Sequence, residues 1–202
     1  MTLDRLRPLA DRLLAPFVAG AARVGLTPNG VSVLAFALAV AAGGCFYVAG
    51  GDPVWYLPGA FLVFLNGWLD LLDGALARRL SVESRAGDLL DHVLDRYADI
   101  VIILGLAGGI GDWLLGAAAV TGVLMTSYLG TQAQAVDLDR VYGGALGRAD
   151  RLALVGGVGV VAPFVTGSLG PWTLVGWLLV VFAAVGHLTA LQRFYHAMAA
   201  LS

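Results

Sequence analysis

Four aspartates set in apolar sequence, Asp70, Asp73, Asp91 and Asp95, carry the clearest chemistry in this chain. The first pair is three positions apart and the second pair four, so each pair shares one face of a helix. A carboxylate inside a hydrophobic run is costly and faces a protein interior or a wet cavity. Four of them gathered together cannot all stay charged unless cations offset them. Oxygen donors with no neighbouring cysteine favour magnesium or manganese over structural zinc. Gly74, Ala77 and Arg78 continue the Asp70 face, and Gly87 lies one turn before Asp91. Small residues leave room for a phosphate beside the metal, and Arg78 adds a forked cation suited to diphosphate oxygens. Metal beside a phosphate-reading arginine suggests phosphoryl-type transfer to or from a lipid headgroup.

Hydrophobicity sets the elements that must hold these groups. With 59% hydrophobic and 13% charged residues, and a mean hydropathy of +0.83, the chain has lipid as its main solvent. A span needs about 20 apolar residues, so 202 residues hold roughly six helices. The expected fold is therefore one all-α integral membrane domain over 1–202. It has an N-terminal interfacial amphipathic helix in 1–26 and six transmembrane helices within 31–198. The spans are read as Val31 to Ala49, Val54 to Ala77, Gly87 to Ala107, Trp113 to Ala133, Leu152 to Val165 and Trp172 to Leu191. In the lead-in, Leu3, Leu6, Leu9, Leu13, Leu14 and Phe17 recur at helical spacing between Arg5, Arg7, Arg12 and Arg23. These arginines also break any signal-peptide core.

All 12 basic residues are arginine. In a six-span arrangement Arg5 to Arg23, Arg78, Arg79, Arg85, Arg140, Arg148, Arg151 and Arg193 fall on one side. The positive-inside bias then places both termini and the aspartates on the cytoplasmic side of the cell (plasma) membrane. The short connection around Arg79 to Arg85 makes the second and third spans antiparallel, so their acidic faces converge. No basic stripe suggests nucleic acid, and Cys45 reads as a small buried hydrophobe.

The run Asp70-Leu71-Leu72-Asp73-Gly74-Ala75-Leu76-Ala77-Arg78, then Gly87, Asp91 and Asp95, resembles the CDP-alcohol phosphotransferase (CDP-alcohol phosphatidyltransferase) signature, D-x2-D-G-x2-A-R-x8-G-x3-D-x3-D, without a departure. The resemblance extends more loosely to Thr27-Pro28-Asn29 and Ser32 at the start of the first span. It implies that Asp70, Asp73 and Asp91 ligate metal, with two Mg2+ or Mn2+ ions. Asp95, close to the metal, would be the general base that takes the acceptor hydroxyl proton. Gly74, Ala77 and Gly87 would line the CDP pocket, and Arg78 would hold the diphosphate. Ser84, and more weakly Asn29 and Ser32, would contact the CDP-lipid; helix capping is the alternative for Ser84 and Ser32. The implied reaction moves a phosphatidyl-type group, on diacylglycerol or archaeol, from a CDP-lipid donor to a small alcohol acceptor, releasing CMP. The resemblance also implies a homodimer.

Arg148 and Arg151, three apart at the start of the fifth span, are expected to hold a phosphate on the acceptor, in a segment similar to one in family members that use inositol phosphate. A phosphorylated polyol such as inositol phosphate or glycerol phosphate is then the expected acceptor. Gly130-Thr131-Gln132-Ala133-Gln134 lacks the basic residues expected there in bacterial phosphatidylinositol-phosphate synthases, which keeps serine or ethanolamine as the alternative. Positive-inside anchoring alone would also account for both arginines. His92 points about 100° off the Asp91 direction and is read as packing. Asp99 is expected to pair with Arg96, and Asp88 to favour a helix N-terminus, with lining of the cavity mouth as its alternative. An ion transporter, the rival from another class, explains the acids but not the Gly, Ala and Arg spacing between them.

Overall fold

The computed structural model describes residues 7–138, 146–165, 167–168 and 170–201. Leu3, Arg5 and Leu6 of the expected interfacial helix, and Arg140, lie outside the described residues. The described residues form seven α-helices in order: α1 Arg7–Arg23, α2 Pro28–Val48, α3 Tyr56–Leu80, α4 Arg85–Ile110, α5 Trp113–Ala135, α6 Arg148–Val161 and α7 Leu174–Leu201. Single 3-10 turns at Pro53–Trp55 and Ala162–Phe164 precede α3 and follow α6.

Local chemistry explains the boundaries. Thr27 caps α2, its hydroxyl accepting from the Gly30 N–H at 3.1 Å, and Pro28 supplies a preset φ at the first helical position. Ser81 ends α3 in the left-handed region at φ 53°, and Ser84 opens α4 by accepting from the Gly87 N–H at 3.0 Å. Asp88 lies in the first turn of α4, where a carboxylate complements the helix dipole. Several boundaries differ from expectation by a few residues or more, and two of the shifts have a visible local cause. Helix α6 starts at Arg148 rather than Leu152, because Asp150 accepts from the Gly147 N–H at 3.0 Å and fixes the first turn. Helix α7 runs on to Leu201 rather than Leu191, since no glycine or proline interrupts Gln192 to Leu201.

Among the described residues, four helical segments are long and apolar enough to cross a membrane: Pro28–Val48, Pro53–Leu80, Trp113–Ala135 and Leu174–Leu201. Helix α4 has length enough, at 26 residues, but its first half carries the acids; α6, at 14 residues, is about 21 Å long at 1.5 Å per residue. The helices pack α2 on α3 and α4, α3 on α6, and α5 on α7. Glycines set the α2–α4 approach: a Cβ on Gly43 would stand 2.5 Å from the Val101 carbonyl oxygen, and one on Gly105 would meet the Gly43 backbone. Phe46, Ile102, Leu106, Leu179 and Phe182 fill the core. Leu14, Val18 and Ala21 of α1 bury a separate apolar seam with Val31, Leu72 and Leu76, and Phe17 meets Trp68 edge-on at 5.2 Å. Phe61, Phe64, Leu114, Phe164 and Leu188 point outward, as an acyl-chain solvent allows.

Candidate active site

The turn at Ser81 to Ser84 brings the end of α3 against the start of α4. Asp70 and Asp73 sit in the last three turns of α3, and Asp91 and Asp95 in the first three of α4. Asp70, Asp91 and Asp95 each place one carboxylate oxygen within 4.8 Å of the others. Magnesium and manganese hold oxygens at roughly 2.0–2.3 Å, and calcium at 2.3–2.6 Å, so oxygens on one such ion stand at most about 4–5 Å apart. The cluster fits a hard divalent cation in spacing and donor type.

Asp73 stands differently. It is buried, and its Oδ2 accepts a 2.7 Å hydrogen bond from the Ser32 hydroxyl on α2. Ser32 is therefore no helix cap: it ties α2 to the acidic face of α3. A cavity of about 340 Å³ opens beside Asp73 and Asp91. Of the residues expected to meet the CDP-lipid, Asn29, Ser32, Gly74, Ala77, Ser84 and Gly87 line it. Arg78 is not among the lining residues; its Nη1 lies 3.5 Å from where a Cβ on Gly74 would sit, which places the guanidinium over that glycine. A Cβ on Gly87 would stand 3.2 Å from the Ser84 hydroxyl and 3.3 Å from the Asn29 amide oxygen, so Gly87 keeps these two groups close. Ser84 both caps α4 and borders the cavity. Thr27, Pro28, Leu80, Val82, Glu83 and Asp88 complete the lining; of these only Asp88 was read from the sequence as a resident of the cavity mouth.

Arg148 reaches into the aspartates from α6. Its Nη2 lies 2.8 Å from Asp95 and 3.4 Å from Asp70, and its Nη1 donates to the Asp95 carbonyl at 2.9 Å. Asn66, one turn before Asp70, donates to the Ala35 carbonyl at 2.8 Å, which leaves its amide oxygen facing Arg148 Nη2 at 3.5 Å. Sequence reasoning missed Asn66; its spacing of four from Asp70 was the available signal. Arg151 donates to Asp99 at 2.7 Å and to the Leu146 carbonyl at 3.3 Å. Asp99 meets Arg96 as expected, at 3.7 Å, and stands closer to Arg151; Arg96 also donates to Ser127. The α6 partners of Asp99 were not expected, because those cations arrive only in three dimensions. His92 is half-exposed, 3.9 Å from Asp91.

The model of the family described as CDP-alcohol phosphatidyltransferase matches residues 25–191. The archaetidylinositol phosphate synthase of Methanothermobacter thermautotrophicus is 32% identical over 95% of this chain and 91% of its own. The phosphatidylinositol phosphate synthase of Mycobacterium marinum is 34% identical over 91% of this chain and 79% of its own. Among solved structures, Mycobacterium tuberculosis phosphatidylinositol phosphate synthase with CDP-DAG bound superposes with a TM-score of 0.78 at 29% identity, covering 92% of this chain and 94% of that one. The same enzyme in complex with manganese and citrate gives 0.77 at 29% identity, with 91% and 88% covered. Signature, helical architecture and relatives agree, and the chain belongs to the CDP-alcohol phosphatidyltransferase family of membrane transferases.

Proposed function

We propose that this protein transfers a phosphatidyl-type group, carried on diacylglycerol or archaeol, from a CDP-lipid to inositol phosphate or a similar phosphorylated polyol, releasing CMP. The observation that carries the reading is the meeting of Asp70, Asp91 and Asp95 beside a cavity bordered by Asn29, Ser32, Gly74, Ala77, Ser84 and Gly87. Relatives along nearly the whole chain are named for making archaetidylinositol phosphate or phosphatidylinositol phosphate, which supports the acceptor class.

Asp70, Asp73, Asp91 and Asp95 would hold two magnesium or manganese ions, which when bound offset negative charge on the diphosphate and on the departing CMP. Gly74, Ala77 and Gly87 leave space for the nucleotide, while Arg78 pairs with diphosphate oxygens. Asn29, Ser32 and Ser84 offer polar contacts to the same donor. Asp95 accepts the proton of the acceptor hydroxyl as that oxygen forms its bond to the lipid-bearing phosphorus and the bond from phosphorus to CMP breaks. Arg148 orients Asp95 through two contacts, one to its carboxylate and one to its carbonyl. Arg148 and Arg151 together meet the acceptor's phosphate. In support, the Nε of each is buried and makes no hydrogen bond among the described residues.

The same reading makes the molecule a single domain with six spans, α4 and α6 joining the four strongly apolar segments, while α1 lies in the interface. Arginine placement supports a cytoplasmic active site in the plasma membrane. Family resemblance adds a homodimer. The test is to supply purified protein with magnesium and a CDP-lipid and to screen inositol phosphate, glycerol phosphate, serine and ethanolamine. CMP should form with a phosphorylated polyol; turnover with serine or ethanolamine alone would refute the acceptor class.

A further inference from the structure

Three guanidinium groups from two helices converge on one buried carboxylate. Asp99, 5% exposed, lies 2.7 Å from Arg151, 3.7 Å from Arg148 and 3.7 Å from Arg96. It stands one turn past Asp95 on the α4 face that carries Asp91, yet it lies outside the group formed by Asp70, Asp91 and Asp95. Asp95 also meets Arg96 and Arg148, at 3.6 and 2.8 Å. Among the described residues, only Asp99 contacts all three cations. Cations this close in a poorly solvated interior repel one another strongly unless a counter-charge lies between them. Arg148 meets Asp95, Asp70 and Asn66 through its Nη2, while its Nη1 lies 3.7 Å from Asp99. The α4 face is thereby divided, with Asp91 and Asp95 in the cation-binding group and Asp99 in the arginine group.

We infer that Asp99 is a positioning residue for the acceptor's phosphate: as shared counter-ion of Arg96, Arg148 and Arg151, it holds them together as a preformed anion-binding group. The inference rests on the assignment of Arg148 and Arg151 to the acceptor made above. Asp99 itself touches no substrate and acts through the arginines. Removing its charge leaves the guanidinium groups to spread apart, which weakens binding of a phosphate while leaving the nucleotide cavity near α2 unaltered.

The experiment measures KM separately for inositol phosphate and for a CDP-lipid, using the purified full chain and its Asp99→Asn, Asp99→Glu, Arg148→Gln, Arg151→Gln and Asp99→Asn/Arg151→Gln variants. Asp99→Asn should raise the inositol phosphate KM by about tenfold or more and leave the CDP-lipid KM within about twofold. Asp99→Glu, which keeps the charge on a longer stem, should shift it by a smaller factor, about threefold. The double variant should raise it by less than the product of the two single effects, because part of what Asp99 does passes through Arg151 while the remainder passes through Arg96 and Arg148. A merely structural Asp99 would lower the Tm and the active fraction without moving one KM against the other; that result overturns the inference. Should Asp99→Asn fail to fold, Asp99→Glu decides, and an unchanged inositol phosphate KM in it counts against the inference. An unchanged KM in both arginine variants removes the acceptor assignment and this inference with it. A raised KM in those two but not in Asp99→Asn overturns this inference alone.

Discussion

At the scale of single residues, the division of labour among the aspartates makes distinct predictions. Asp95→Asn keeps the size and most of the hydrogen bonding but cannot take a proton at neutral pH. Turnover should fall by about 100-fold to 10,000-fold, with CDP-lipid binding in magnesium largely retained. Restoration by excess magnesium would instead make Asp95 a ligand only. Asp70→Asn removes one oxygen of the three that lie together, so its deficit should appear as weaker manganese binding, measured directly by titration. The signature residues were legible because their chemistry is tied to spacing along one helix. The Ser32–Asp73 bond, the Asn66 amide and the α6 arginine partners of Asp99 were not, because each joins groups 31 or more positions apart whose register only packing sets.

At the scale of elements, the α3–α4 connection decides whether the two acidic faces meet. Ser84 contributes to both the turn and the cavity, so Ser84→Ala should cost about 0.5–2 kcal/mol through the lost cap, read as a lower Tm. A parallel rise in CDP-lipid KM would show that the hydroxyl also meets the donor; Ser84→Asp, which keeps a capping oxygen, should recover the Tm. The α2–α4 contact is the second requirement. Gly105→Leu drives a side chain into the Gly43 backbone and should abolish accumulation of folded protein, whereas the same change at Gly44, where a Cβ meets nothing within 4 Å, should be tolerated in a fluorescence size-exclusion assay. Hydropathy located α2 to α7, since each apolar run exceeds what a loop can bury, and helical spacing of leucines located α1. The ends of α6 and α7 escaped it, because the Asp150 cap and the polar run after Leu191 are invisible to an average of apolarity.

At the scale of the whole molecule, the cavity, the carboxylates and the arginines lie in series from α2 through α3 and α4 to α6, which suits a donor on one side of the cations and an acceptor on the other. The helical membrane architecture was readable from hydropathy; the acceptor class was legible only through the resemblance around Arg148 and Arg151, because its recognition depends on which arginine donors are left unengaged after folding. The most direct test of the central claim follows CMP and lipid product together. Purified protein receives CDP-lipid, radiolabelled inositol phosphate and magnesium, with and without chelator, beside its Asp91→Asn variant. CMP and labelled phosphoinositide lipid should form in equal amounts, both abolished by chelator, both restored by added magnesium, and both absent from the variant. Labelled lipid forming undiminished in chelator, or in Asp91→Asn, would contradict the central claim.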